Sequence, residues 1–206
     1  MEISKYNIKL SRLSHEDLEL VRSWRNSELV RSRMAYQQFI SQSEQEKWFY
    51  SINNECNFYF IISVEDQKIG LINTKNIDWK NKWGEGGIFI GVEEYIETYI
   101  PTLASLCLLE FVFEVLNGIQ YSFIRILKDN KRAISYNKNL GYLLLPAQEN
   151  IDNQLYMLTK ENYFARSEKL KRAAALVSLS SEPLQYSGIE NVFPRELSNA
   201  LFFLKD

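Results

Sequence analysis

The residue types that most often carry metal or nucleophilic chemistry are scarce in this chain of 206 residues: one histidine, His15, and two cysteines, Cys56 and Cys107. The cysteines lie far apart without metal-ligand spacing, so reduced, buried thiols are expected and no metal centre. His15 falls in the first turn of an expected helix with no partner motif and reads as a surface residue. What remains is proton transfer and hydrogen bonding by carboxylates, phenols and amides. Glu85 leads into a strand, Asn130 opens a helix, and Tyr136 and Asn137 follow on that helix. Trp24-Arg25-Asn26 ends another helix, with Tyr36-Gln37 downstream. Each also has a structural reading: a solvated strand-end carboxylate, an N-cap, a packed indole beside a solvated guanidinium.

These residues must be positioned by an α+β framework. Tyr6 to Leu10 alternates as a strand, and Ser14-x-x-Asp17 opens a helix as a capping-box variant, with Leu13 and Leu18 at the staple positions. A second helix begins near Ser41 to Ser43 and carries Trp48, Phe49 and Ile52. The apolar run Phe58 to Val64 predicts a central strand, and Ile69 to Ile77 its hairpin partner across the polar turn 65–68. Gly87 to Val92 predicts another strand, and Glu93 to Pro101 a connector. Thr102 to Leu116 is apolar nearly all round, with Glu110 and Glu114 as its charged stripe, so it predicts a helix covered on most sides and ended by Asn117-Gly118. A strand over Tyr121 to Leu127, a helix over Asn130 to Leu140 closed by Gly141, and strands over Tyr142 to Leu145 and Gln154 to Thr159 complete the pattern.

The texture changes after Lys160. Residues 1–160 are expected to form the main domain and 161–206 a mainly helical extension. That extension comprises a helical stretch over Tyr163 to Val177, a linker over Ser178 to Ser187, and a last helix opened by Pro194 with Leu197, Leu201 and Leu204 along it. The apolar content of the extension implies docking on its own domain or across a homodimer.

Bulk properties bound the function. A composition of 46% hydrophobic and 14% aromatic residues fits a packed core. The formal net charge of −2 lacks the basic footprint of a nucleic-acid binder. The start of the chain lacks a secretory pattern. The longest apolar stretch, Leu103 to Leu116, is shorter than the ~20 residues of a bilayer span. No membrane partner and a cytoplasmic location are expected.

The segment YSFIRILKDNKRAISYNKNLGY, residues 121–142, resembles the GNAT N-acetyltransferase pattern of strand, Asp-Asn-x-x-Ala, helix and Leu-Gly-aromatic, with Asp129, Asn130, Ala133, Leu140, Gly141 and Tyr142 in the matching places. Trp24-Arg25-Asn26, Tyr36-Gln37, Ile40 and Trp48-Phe49 are similar to the branch that holds the ribosomal-protein acetyltransferases. They look most like the amino-sugar N-acetyltransferases of bacterial surface-glycan pathways. Glu85-Gly86-Gly87-Ile88-Phe89-Ile90 resembles that branch's Glu-x-Gly-Ile-aromatic-Ile strand.

The resemblance implies a mixed, splayed sheet flanked by helices. It also implies acetyl transfer from acetyl coenzyme A to a primary amine: an amino sugar, possibly nucleotide-linked, ahead of a protein amino terminus. Glu85 is then the proton acceptor, and the Ile90, Gly91 and Val92 backbone orients the thioester. Tyr99, Ile100, Thr102, Asn130 and Ala133 hold the cofactor at two helix starts, and Tyr136 and Asn137 compete for the leaving-group role. Trp24, Arg25, Asn26, Tyr36 and Gln37 line the acceptor pocket.

Three departures qualify this. Where the family's glycine-bearing phosphate loop is expected, Ile96-Glu97-Thr98-Tyr99-Ile100-Pro101 has no glycine and no cation, and Pro101 removes an N–H donor. The family's Tyr slot holds Asn137, which donates a hydrogen bond but is no practical general acid, while Tyr136 is turned by about 100° on an ideal helix. Gln45 replaces a His common in the acceptor helix. These departures imply weak coenzyme A binding, or phosphates held by side chains from elsewhere in the chain, and they leave open the alternative of a catalytically impaired binding or scaffold protein.

Overall fold

The computed structural model describes residues 1–116 and 118–189. The chain opens on a hairpin, β1 (Glu2–Lys5) and β2 (Ile8–Arg12). Its two-residue turn is Tyr6-Asn7, both at positive φ (58° and 60°), the twist that suits a tight hairpin. The sequence pattern placed a single strand over Tyr6 to Leu10; Tyr6 is instead a turn residue whose ring is buried.

The chain then forms α1 (Leu18–Asn26), a short α2 (Glu28–Arg31) and α3 (Gln42–Ile52). Three antiparallel strands follow: β3 (Phe58–Val64), β4 (Gln67–Asp78) and β5 (Trp83–Ile90). The long apolar helix α4 (Ile100–Glu110) comes next, running on as a wider turn over Phe111–Val115. There Leu116 N–H reaches back five residues to the Phe111 carbonyl (3.0 Å). Then come β6 (Tyr121–Leu127), α5 (Lys131–Leu140), β7 (Leu143–Leu144) and β8 (Asn153–Thr159). Last are α6 (Lys160–Ser178) and β9 (Gln185–Ser187).

The strands form one nine-stranded sheet in the order β7-β8-β6-β5-β4-β3-β2-β1-β9. Every neighbouring pair is antiparallel except β5 and β6, which run parallel. Those two pair only from Trp83–Gly86 against Tyr121–Ile124, although both continue three or four residues further. The sheet therefore splits, as the resemblance implies. Separate cores cover its two faces. Leu18, Val21 and Trp24 of α1 and Phe49 of α3 pack on Tyr59, Ile61 and Leu71. The buried sides of α4, α5 and α6 pack with Phe60, Ile72 and Ile124 on the other face.

Part of the segment expected as a linker, Ser178 to Ser187, is strand: β9 pairs antiparallel with the outer edge of β1. Tyr186 meets Phe111 edge-on there, which an alternation too short to register gave no sign of. Helix α6 packs back on β8, α4 and α5. The helix expected from Pro194 with Leu197, Leu201 and Leu204 lies outside the described residues. No helix among the described residues is long and apolar enough to cross a membrane.

Candidate active site

The split between β5 and β6 opens into a cleft of about 680 Å³ that draws residues from both faces of the sheet. On the α1 and α3 side, α1 contributes Val21 and Arg25, α3 contributes Gln45 and Trp48, and the loop between them Met34, Tyr36 and Ile40. On the other side, α4 contributes Ser105 and Leu108, and α5 contributes Ala133, Tyr136 and Asn137, with Asn130 at its cap.

Glu85 lies inside β5, two residues after its start, because the strand begins at Trp83 rather than at Gly87. It stands opposite Lys75 in the β4–β5 register and pairs with its ammonium at 3.1 Å. Its charge reaches Tyr59, whose hydroxyl is pushed up to about 12, first by burial and then by the Glu85 carboxylate. Tyr59 belongs to the α1–α3 core, so Glu85 faces that side of the strand.

Across the split, Tyr136 Oη lies 2.5 Å from Ser105 Oγ. Burial pushes the phenol up to about 12 against the opposing pull of the Ser105 hydrogen bond. The neighbouring Asn137 is buried and turns inward, its Nδ2 donating to the Ala133 carbonyl at 2.8 Å, an i−4 bond within the helix. Asn130 caps α5, its Oδ1 accepting the Ala133 N–H at 3.1 Å. Tyr142 also lines the cleft, hydrogen-bonded to Ser122 at 2.7 Å, with its hydroxyl pushed up by burial.

The Gly91 N–H is spent on the Ile69 carbonyl at 2.8 Å. Strand alternation therefore leaves the Ile90 N–H on the opposite edge, toward the diverging β6. Gly91 has no room for a side chain, since a Cβ there would fall within the Trp24 indole. Trp24 is buried, edge-on to Phe89 at 6.3 Å, and so supports the cleft from beneath. Asn26 clamps the loop that carries Tyr36: its amide donates to the Ile40 carbonyl (2.9 Å) and accepts the Ile40 N–H (2.8 Å). Arg25 and Tyr36 line the cleft, whereas Gln37 is exposed on the loop outside it.

Val92 and Tyr99 lie along the segment that leads into α4, and Ile100 and Thr102 lie in its first turn, because the helix starts at Ile100 rather than at Thr102. Here the Ile100 N–H donates to Thr98 Oγ1 (3.2 Å), and the Thr102 and Leu103 N–H groups share the Tyr99 carbonyl (3.0 Å each). From α5, Arg132 reaches over this segment to the Glu97 carboxylate and the Ile96 carbonyl. Pattern reading passed over Ser105, Asn73 and Lys75, which also line the cleft. A fixed β4–β5 register is the signal that would have found the last two, since it sets Asn73 against Gly87 and Lys75 against Glu85. Among the described residues no cluster of His, Cys, Asp or Glu could hold a metal ion.

A parallel pair that splits over a cleft, fed by a long buried helix on one face and an aromatic pocket on the other, defines the class. Residues 7–142 match the model of the acetyltransferase (GNAT) domain, and the chain belongs to that family. No curated protein sequence matches it. Among solved structures it is similar to FdhC, a nucleotide-linked sugar GNAT in its apo form, with 21% identity, a TM-score of 0.69, and coverage of 84% of this chain and 97% of that one. It is also similar to a ribosomal-protein alpha-N-acetyltransferase in complex with coenzyme A (15%, 0.67, 77% and 98%). A third is the spermidine N-acetyltransferase from Vibrio cholerae in complex with coenzyme A and spermine (17%, 0.66, 78% and 99%). At these identities the likeness is one of fold.

Proposed function

We propose that this chain transfers the acetyl group of acetyl coenzyme A to the primary amine of an amino sugar, in the synthesis of bacterial surface glycans. One observation carries the reading: a single cleft through the split sheet brings a carboxylate, Glu85, from the acceptor face together with a phenol, Tyr136, from the cofactor face. Two of the similar structures hold coenzyme A, and a third acts on a nucleotide-linked sugar.

In this reading the amine enters from the α1–α3 side and Glu85 takes its proton, directly or through water. The Ile90 N–H supports the thioester carbonyl as negative charge develops on it. Tyr136 protonates the departing thiolate of coenzyme A. Burial pushes its pKa up to about 12, so the phenol carries its proton at neutral pH. Asn137 is occupied by the Ala133 carbonyl and takes no part. Acetyl coenzyme A is a cytosolic metabolite, so the reaction belongs to the cytoplasm.

Coenzyme A is held weakly. The Ile100 and Thr102 N–H groups in the first turn of α4 are already spent on Thr98 Oγ1 and the Tyr99 carbonyl, and Pro101 has none to offer. Each charge-assisted hydrogen bond withheld from the pyrophosphate costs roughly 1.5–3 kcal/mol, about one to two decades of affinity.

Calorimetric titration with acetyl coenzyme A, followed by an assay of thiol release with amino-sugar acceptors, tests both points. Glu85→Gln should lower kcat by ~10²-fold or more while leaving acetyl coenzyme A affinity unchanged. Unchanged turnover removes Glu85 from the mechanism. A low-micromolar Kd overturns the weak loop, and absence of binding at millimolar ligand leaves a scaffold protein on an acetyltransferase fold.

A further inference from the structure

Outside the reacting groups, the acceptor half of the cleft carries cationic and polar side chains with atoms that no partner among the described residues satisfies. Arg25 is half-buried on α1, and its Nη1 is enclosed and has no hydrogen-bond partner. Burial pulls the guanidinium below its ordinary pKa, and the nearby Tyr36 hydroxyl only partly opposes this. On the facing helix α3, Gln45 is 4% exposed, and its amide nitrogen is likewise enclosed without a partner. Both side chains line the same cleft. An enclosed guanidinium nitrogen and a buried amide donor left unpaired oppose folding, and such groups are normally hydrogen-bonded. No acceptor among the described residues completes them; one brought into the cleft by a ligand would.

The other charges around the cleft point the same way. Arg33, Lys75 and Arg125 join Arg25, against two carboxylates, Glu44 and Glu85. Neither carboxylate pairs with Arg25. Glu85 is bound by Lys75, and Glu44 is committed to the cap of α3, accepting from the Ser41 N–H and hydroxyl. A polycationic amine such as the spermine of the Vibrio cholerae structure would meet like charge on entering. Asn73 adds an enclosed, unpartnered amide oxygen beside Gly87, suited to a hydroxyl donor.

We infer that the acceptor is an amino sugar bearing a phosphate or diphosphate group, and that Arg25 with Gln45 forms the site that holds that anion while Asn73 takes a sugar hydroxyl. This rests on the acetyltransferase reading for the amine but not for the anion, because the unpaired donors stand whether or not acetyl transfer occurs. Arg25 is then a specificity-determining residue. It binds the end of the acceptor remote from the amine and leaves the cofactor untouched.

The test has two arms. In the kinetic arm, glucosamine, glucosamine 6-phosphate and a UDP-linked amino sugar are compared as acceptors, with spermine as control. The phosphorylated sugars should be preferred, and which of them has the lower KM separates a monophosphate from a nucleoside diphosphate. Arg25→Gln should raise KM for the anionic acceptors by about ten- to a hundred-fold more than it raises that for glucosamine, with the Kd for acetyl coenzyme A unchanged. Arg25→Lys should restore part of the loss, since it keeps the charge without the planar fork. Preference for spermine, or equal use of glucosamine and its phosphate, overturns the inference. In the binding arm, glucosamine 6-phosphate and UDP are titrated into the protein without acetyl coenzyme A. Heat that disappears in Arg25→Gln supports the anion site even in a protein that transfers no acetyl group. Heat unaffected by the substitution, or no heat at all, overturns it while leaving the acetyltransferase reading to its own assay.

Discussion

Two neighbouring residues on α5 divide one task between them because of where a helix points successive side chains. Asn137 turns into the helix and closes on the Ala133 carbonyl, while Tyr136 reaches the Ser105 hydroxyl at the cleft. Counting from Asn130 put Asn137 in the family's phenol slot, and by spacing alone Tyr136 was one position out of place. What spacing could not contain is the partner: Ser105 lies thirty-one residues earlier, on the far side of β6. If Tyr136 is the proton donor, Tyr136→Phe should lower kcat by roughly 10²-fold or more, the lower range for acid catalysis, without changing KM. Because burial holds the phenol near 12, the wild-type rate should show no alkaline loss from this group at working pH, so the ratio of the two rates should stay flat as pH rises. A Tyr136→Phe enzyme of wild-type rate, or an alkaline limb that vanishes in the variant, would assign the proton to another group.

The elements were legible in proportion to how local their causes are. The capping residues of α3 and α5, the buried run of β3 and the apolar girth of α4 are written in adjacent residues. The β1–β2 turn at Tyr6-Asn7, the early start of β5 and the edge strand β9 depend on partners far along the chain, and there periodicity failed. The entrance to α1 combines both kinds of cause. Asp17 accepts the Ser14 N–H and hydroxyl (3.0 and 2.8 Å), as its capping-box position foretold, but it also holds Lys68 of β4 at 2.7 Å. Burial alone would raise its pKa; Lys68 and Ser14 together outweigh that and hold it below the ordinary value. A carboxylate depressed in the folded state gives stability that is fully present above its unfolded pKa of about 3.9 and is lost as pH falls through the folded value. Asp17→Asn should therefore lower Tm at pH 7 and flatten the acid limb of the stability curve below about pH 4. An acid limb identical to wild type in urea melts across that range would show that Asp17 contributes nothing to it.

At the scale of the whole molecule, the segment after Lys160 is joined to the rest by contacts that a domain boundary would have to cut. Helix α6 lays Tyr163, 1% exposed, against Phe113 of the wide turn after α4 (ring centroids 5.0 Å apart), and the phenol donates to Glu114 at 2.7 Å. Lys171 of the same helix pairs with Glu114 at 2.8 Å. One turn earlier on α4, the buried Glu110 takes Lys5 at 2.6 Å and the Tyr6 hydroxyl at 3.2 Å. The two glutamates that read as the charged stripe of α4 in sequence are thus where the first hairpin and α6 are fastened to that helix, which supplies Ser105 to the cleft. We propose that residues 1–160 do not fold as a unit by themselves, and that the extension is a structural part of the catalytic domain. Removing the Tyr163 ring should cost about 3–5 kcal/mol, the range for a buried aromatic cut to alanine. For a chain of this length that corresponds to a fall in Tm of roughly 6–20 °C. Tyr163→Phe keeps the ring and loses only the bond to Glu114, which Lys171 still serves, so it should cost about 1 kcal/mol. A soluble fragment ending at Thr159 with wild-type Tm, or a Tyr163→Ala protein that melts with the parent, would show that the segment is an appendage and that α4 is held without it.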